Sequence, residues 1–498
     1  MRALASLTAA LLTLPHLITV KADPDLWGHT LFGIAHIQSG RLADSDPYSY
    51  TFQGAEWTNH EWLCEWLFGA AYLVGGETGM MVLRGALLLF ISLGVTRLLT
   101  ERLSNLALVG LINVLIIPFF AIYINVRPHS FTYTLMVALL LCFDAIRRGR
   151  YGWLAMIPLI MAAWVNLHGG FIVGLGLAGA GLGALLFNLE NAPAPPTPRA
   201  RTAIIVTGLT TLAAVLLNPY GIEILTYLSM ALSLERGGVT EWQSLSGATL
   251  VPYAVFFVVT FLLAIGARAW KRPTQLLFFF IGAWAGLNHG RFFIIMILFS
   301  ALVMASSLEV LWARLLASDR LPTLSRLETP RAVVAVAVLA GLLSLPIAAT
   351  SASTHGGPSI LVSPAKYPVA AVSWLKEHRD TLPLRLALPF GWGEYAMWHL
   401  YPNYLVSMDG RYETVYTPSF IEALQAAEQT GDLETFITEQ GADVLLVLTD
   451  SPLQAAAAAH PDWTLRYIDD TAAIFARSPI IGAHDVRTDQ PRPWSHFP

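Results

Sequence analysis

Charge is scarce in this chain of 498 residues: Asp, Glu, Lys and Arg make up 13% of it, hydrophobic residues 55%, and the mean hydropathy is +0.55. That balance excludes a soluble globular protein of this length and points to one integral to a membrane. Cysteine is nearly missing. Cys64 and Cys142 both fall in or beside apolar segments, so neither a disulfide framework nor a zinc site is expected. No tract gathers the basic residues and the formal net charge is -4, which removes nucleic acid as a partner. His60-Glu-Trp-Leu-Cys-Glu65 lacks the second histidine of a zincin, and metalloprotease chemistry goes with it.

Long apolar runs are what the chain has instead. Eleven recur between residues 3–20 and 332–349, each near the roughly 20 residues that cross about 30 Å of hydrocarbon. The runs at 154–165 and 276–287 are short. The first run ends in Val20-Lys-Ala22, which is similar to a signal-peptide cleavage site, but it is long enough to anchor and is read as an uncleaved span.

Cations cluster in alternate loops, at Arg97 and Arg102, at Arg147, Arg148 and Arg150, at Arg199 and Arg201, at Arg268, Lys271 and Arg272, and at Arg314, Arg320, Arg326 and Arg331. These loops are assigned to the cytoplasm. The N-terminus is then cytoplasmic, and the loop 21–61 faces outward.

The expected architecture is mainly α. Residues 1–349 form a polytopic membrane helix bundle of about 11 spans, and residues 350–498 a soluble extracytoplasmic α/β domain. Interfacial helices are expected at 24–39 and 61–73. In the soluble segment the patterns predict strands at 384–390, 404–408, 443–448 and 472–476, and helices at 364–379, 418–430 and 433–440.

Asp23-Pro-Asp-Leu-Trp-Gly-His-Thr30 follows the first span directly. An acid at the edge of the hydrocarbon core is costly to dehydrate, so such groups tend to face a cavity or substrate. Asp25 is the expected general base and Asp23 its neighbour, although either could instead cap the following helix. His29, His60 and Glu61 are assigned to substrate. The oxygen-rich loop, with Asp44, Asp46 and Glu65, also leaves a divalent cation, Mg or Mn, open as a cofactor. The i,i+4 pair Glu61 and Glu65 is otherwise a solvated helix face.

A second set lies at outward helix ends: Asn125-Val-Arg-Pro-His129, Asn166-Leu-His-Gly-Gly170, Asn218-Pro-Tyr-Gly221 and Asn288-His-Gly-Arg291. Guanidiniums offer paired donors to phosphate, so Arg127 and Arg291, with His129, Asn166, His168 and His289, are expected to hold an anionic lipid headgroup. Singly, each is a turn with a snorkelling cation. Glu241-Trp242 adds an acid beside an aromatic, and Asp409 and Arg411 of Met408-Asp-Gly-Arg-Tyr-Glu413 are further substrate candidates. Pro389-Phe-Gly-Trp-Gly-Glu-Tyr395 concentrates glycines and aromatics nearby in sequence.

Asp23-Pro-Asp-Leu-Trp-Gly-His29, Asp46-Pro-Tyr-Ser-Tyr-Thr51, Trp57-Thr-Asn-His-Glu-Trp62 and Met408-Asp-Gly-Arg-Tyr-Glu413 together resemble a bacterial branch of the GT-C superfamily of membrane glycosyltransferases. The resemblance spans most of the chain. It implies a polyprenyl-phosphate sugar donor and transfer to a glycan, lipid or protein acceptor on the outer face of the bacterial plasma membrane. It also implies that Asp23 or Asp25 is the base or a metal ligand. Gly28 stands where the family pattern leads one to expect an aromatic, which implies a wider pocket. Two other classes compete: a non-enzymatic lipid-linked glycan flippase or transporter, for which Arg84 is the clearest intramembrane charge, and an envelope assembly scaffold.

Overall fold

The computed structural model describes residues 1–189, 195–233, 242–271, 273–317, 327, 329–378, 384–438, 441–477, 487–488 and 495–498. Each of the eleven apolar runs carries a helix. In chain order the first helices are α1 (Arg2–Thr13), α2 (Leu26–Ser39) in the loop after the first run, α3 (Trp62–Thr100), α4 (Leu106–Tyr123), α5 (His129–Arg147), α6 (Met156–Leu167), α7 (Phe171–Leu186), α8 (Pro198–Ala214) and α9 (Glu223–Ser233). There follow α10 (Leu250–Ala267), α11 (Pro273–Asn288), α12 (Phe293–Leu316) and α13 (Pro330–His355).

Among the described residues six helices are long and apolar enough to cross a membrane: α3, α4, α5, α10, α12 and α13. The chain is a multi-pass membrane protein. The other five fall short of the expected span length; α7, with 16 residues, rises only about 24 Å.

The chain divides into two compact units. The first contains residues 1–19, 81–226 and 235–358. Its helices are apolar outside as well as inside: on α13 Leu342 and Ile347 are 68% and 60% exposed while Ala340 is fully buried. A helix in hydrocarbon must satisfy its own ends. Asn105 does so for α4, accepting the Ala107 and Leu108 amides at 3.1 Å each, and Thr329, followed by Pro330, caps α13.

Arg84 on α3, the charge a transporter would use, is buried and spends its guanidinium on backbone. Nε donates to the Ile124 carbonyl at 2.7 Å, Nη2 to Ala121 at 3.2 Å, and Nη1 to the His16 carbonyl. It closes the end of α4 with a cation, where the helix dipole favours one.

The second unit contains residues 20–80, a short stretch from Tyr227 and residues 359–498. Its strands are β1 (Thr19–Lys21), β2 (Ser359–Val362), β3 (Leu384–Ala387), β4 (Tyr404–Val406), β5 (Val444–Leu448), β6 (Trp463–Ile468), β7 (Ala472–Arg477), β8 (Arg487–Thr488) and β9 (Ser495–His496). The main sheet runs β4-β3-β5-β7-β6-β8, with β3 parallel to β4 and β5, and β7 antiparallel to β5 and β6. The helices of this segment are α14 (Val369–Glu377), α15 (Gly393–Leu400), α16 (Pro418–Thr430), α17 (Leu433–Ile437) and α18 (Pro452–Ala459).

The four expected strands are present, the first ending at Ala387 two residues before Pro389, which cannot donate to a ladder. α14 starts only after Pro368, and α17 ends at Ile437, with the last two residues of that expected helix outside the described set. Gly76, at φ 56° and ψ -141°, breaks α3 into two pieces, so a separate helix covers most of the expected stretch 61–73.

Replacing Arg84 by Met orphans up to three buried carbonyls at about 1–3 kcal/mol each. Detergent-purified Arg84→Met protein is expected to melt well below wild type, with Arg84→Lys intermediate. Unchanged melting would contradict the structural role.

Candidate active site

The second unit gathers acids from three chain segments. Asp25 occupies the N-cap position of α2 (φ -83°, ψ -5°), yet its side chain makes no capping hydrogen bond. Asp23 Oδ1 instead accepts the Asp25 amide at 3.2 Å. The cap comes from elsewhere: the Gly28 N–H, in the first turn of α2, donates to Glu394 Oε2 at 3.0 Å.

Glu394 sits in the first turn of α15 and is buried. A Cβ at Gly28 or at Gly410 would overlap its carboxyl, and the one at Gly410 would also stand 3.3 Å from Asp25 Oδ1, so both carboxyls flank the space beside that glycine. A Cβ on Gly393 would collide with the Met408 carbonyl. Glycine at these positions lets α2, α15 and the loop after β4 close on one carboxyl group. The wider pocket expected at Gly28 is therefore not formed, because Glu394 fills that space. Trp27 completes the wall, fully buried and edge-on to Tyr367 and Tyr395, each at 4.8 Å.

Burial pushes the Glu394 carboxyl well above the usual carboxylate range, and the charges of Asp25 and Asp409 push it further. His29 lies on the same side of α2. Burial alone would lower its pKa, but the Glu65 hydrogen bond and the charges of Glu61 and Glu65 outweigh that and raise it to about 10. Its Nδ1 is 3.4 Å from Glu65 Oε1 and its Nε2 3.8 Å from Glu61 Oε2.

Glu65 also accepts Asn59 Nδ2 at 2.5 Å and is 2% exposed, so the expectation of a solvated Glu61–Glu65 face fails: α3 turns Glu65 inward to charge His29. His60 Nε2 stands 3.5 Å from Glu61 and 3.3 Å from the Tyr227 hydroxyl. The structure thus brings Asp25, His29, His60 and Glu61 into one cluster and adds Glu65 and Glu394.

Asp409 and Arg411 adjoin it, and protein groups occupy both. Arg411 Nε and Nη2 donate to Asp409 at 2.8 and 2.6 Å, Nη2 stands 2.7 Å from Asp46 Oδ1, and the Tyr416 hydroxyl donates to Asp409 at 2.8 Å. The guanidinium is caged by Trp57, Tyr48 and Phe32, with ring centroids at 4.9, 5.2 and 5.5 Å. Burial would raise the Asp409 pKa, but Arg411 holds it below the usual range. This arrangement is a buried brace between the loop 21–61 and the C-terminal segment.

In the membrane unit, three of the expected turns converge at one end of the bundle. The Tyr123 and Tyr133 hydroxyls donate to the carbonyls of Gly290 and Arg291 at 3.2 and 3.1 Å, and Arg127, Arg291 and His168 all lie within electrostatic reach of His129. Trp164 Nε1 donates to Thr132 Oγ1 at 3.0 Å, and His168 Nδ1 pairs with that hydroxyl at 2.8 Å and accepts the Gly170 amide at 2.9 Å. Nδ1 is thereby fixed as an acceptor, which assigns the ring proton to Nε2.

His129 Nε2 is 3.0 Å from the Tyr123 carbonyl. The Arg291 guanidinium lies over the Trp242 ring at 4.5 Å, and His289 Nδ1 is 2.8 Å from the Trp242 carbonyl. Asn166 bridges the Ala162 and Leu217 carbonyls at 2.7 and 2.8 Å, a structural use. Glu241 lies outside the described residues. Among the described residues no group of three or more His, Cys, Asp or Glu is placed to hold a metal ion.

No protein-family model matches the chain, and no curated protein does. Solved structures do. The Archaeoglobus fulgidus oligosaccharyltransferase AglB, in complex with an inhibitory peptide and a dolichol-phosphate, aligns over 90% of this chain and 69% of its own with 12% identity and a TM-score of 0.58. ArnT from Cupriavidus metallidurans bound to undecaprenyl phosphate aligns over 97% and 98% with 12% identity and a TM-score of 0.54. Its apo form aligns over 97% and 99%, with 14% identity and a TM-score of 0.56. The chain has the GT-C fold.

Because the folded His29 pKa is raised, from 6.5 to about 10, its ion pairs stabilise fully below about pH 6.5 and fade as pH rises through about 10. Wild type is expected to lose melting temperature over that window, and His29→Gln to start lower with a shallower slope; equal slopes would contradict the assignment. Arg411→Met leaves Asp46 and Asp409 uncompensated, a loss of about 3–5 kcal/mol that thermal melting reads directly.

Proposed function

We propose that this chain is a membrane glycosyltransferase that moves a sugar from a polyprenyl-phosphate donor to a glycan, lipid or protein acceptor on the outer face of a bacterial plasma membrane. The observation that carries the proposal is the placing of Asp25: it heads α2 without capping it, inside a cluster with His29, Glu61, Glu65 and Glu394. The GT-C fold adds support, since solved proteins of this fold hold undecaprenyl phosphate and dolichol-phosphate.

In the proposed reaction the Asp25 carboxylate takes the proton of the acceptor hydroxyl or amine as that atom attacks the anomeric carbon. The bond from that carbon to the phosphate oxygen breaks in line, and the phosphate leaves with the electron pair. Within the membrane unit, Arg127 and Arg291, with the Nε2–H of His168, are the groups suited to a lipid phosphate. Asp23 steadies the Asp25 backbone. The cation-rich alternate loops support a cytoplasmic N-terminus with the acid loop and C-terminal segment outside. The engagement of Arg84 with backbone carbonyls disfavours the transporter reading.

The test is sugar transfer from total lipid to cell-envelope acceptors, with membrane insertion checked for every variant. Asp25→Asn is expected to lose about 10²–10⁴ in rate, the worth of a general base, and Asp23→Asn less. Full transfer by both variants would overturn the assignment.

A further inference from the structure

Glu394, the acid within Pro389-Phe-Gly-Trp-Gly-Glu-Tyr395, is tightly enclosed in the second unit. It is 4% exposed, the absent side chains of Gly28 and Gly410 leave just the room it fills, and the Gly28 N–H at 3.0 Å is its hydrogen bond among the described residues. The charged groups facing it are Asp25 and His29 from α2 and Asp409 from the loop after β4. Behind these, His29 leans on Glu61, just before α3, and on Glu65 of α3, and Asp409 on Arg411. An ionised carboxylate here would have one N–H to replace its hydration shell and two further carboxylates before it, against one cation, His29, that Glu61 and Glu65 already engage, which is costly. A neutral carboxylic acid has no such penalty and offers an O–H as a donor.

We propose that Glu394 is the proton-holding partner of Asp25: a neutral carboxylic acid that shares its proton with Asp25 and leaves the negative charge of the pair on Asp25, facing the acceptor. Glu394 is a positioning residue, contributed by the C-terminal segment, which on this view completes the acid site. Two carboxyls that share a site separate their ionisations, one keeping its proton while the other carries the charge. The upward push of burial on Glu394 agrees with this geometry. The inference rests on the transferase reading only for its effect on rate.

Infrared spectroscopy of the full-length protein in nanodiscs, with glutamate labelled with ¹³C at its side-chain carboxyl, tests protonation without any substrate. Wild type is expected to show, at neutral pH, an isotope-shifted C=O band of a protonated glutamate that Glu394→Gln lacks and that disappears as pH rises. Gln keeps an acceptor for the Gly28 amide. Identical wild-type and Glu394→Gln spectra would overturn the proposal.

Asp25→Asn gives a second reading should Glu394→Gln misfold. Removing the neighbouring charge is expected to move the loss of the band to lower pH, and an unmoved titration overturns the sharing. The band is expected to survive added MgCl2 or MnCl2; its loss would make Glu394 a metal ligand and overturn the assignment. In the transfer assay Glu394→Gln is expected to lose less than the roughly 10²-fold that removing a base costs and to lose the alkaline limb of the wild-type pH profile, while an unchanged limb counts against the proposal. A protein without transfer but with the band fails the transferase reading alone.

Discussion

Acids cannot be packed together away from water unless something cancels their charge. Asp25, Asp46, Glu394 and Asp409 crowd one region of the second unit, and full ionisation of all of them there would cost several kcal/mol per group. Each is answered differently. Arg411, within its cage of Trp57, Tyr48 and Phe32, takes Asp46 and Asp409. Glu394 is pushed toward its neutral form. Asp25, half-buried at the head of α2, is left with a carboxylate that the helix end does not use.

The positive groups follow the same logic. His29 is charged because Glu65 of α3 and Glu61 just before it stand against it, and the brace formed by Arg411 holds the loop 21–61 to the C-terminal segment that contains β3, β4 and α15. The glycines are part of this constraint. Gly28, Gly393 and Gly410 are the points where backbone and carboxyl approach too closely for any side chain, so the site depends on what those positions omit.

Much of the fold was legible in the sequence because hydrophobic runs and helix caps are local signals. Every apolar run became a helix, and the short continuous apolar stretches Val444–Leu448 and Ala472–Ala476 lie in strands. Span length was less legible, since run length counts apolar residues while helix length also depends on where turns fall; α6 stops at Leu167 because His168 turns to bond Thr132. β6, where Trp463, Leu465 and Tyr467 alternate with Thr464 and Arg466, was legible but not among the expected strands, and α15 escaped because it is only eight residues long and starts at a glycine. In the site, Asp25, His29, His60 and Glu61 were legible as a cluster by proximity in sequence. Glu394 was not, since its pairing with Gly28 spans 366 residues; the signal was an acid set among Gly391, Trp392, Gly393 and Tyr395. Asp409 and Arg411 were visible as a charged motif, but nothing local showed that each would be the other's partner.

The central claim, that the Asp25 carboxylate accepts the acceptor's proton, is tested most directly by chemical rescue in a single-turnover transfer assay. Asp25→Ala opens the space of one carboxyl, and the account predicts that added formate restores transfer to this variant in a concentration-dependent way while doing nothing for Arg291→Ala. Transfer by Asp25→Ala at the wild-type rate without formate would contradict it.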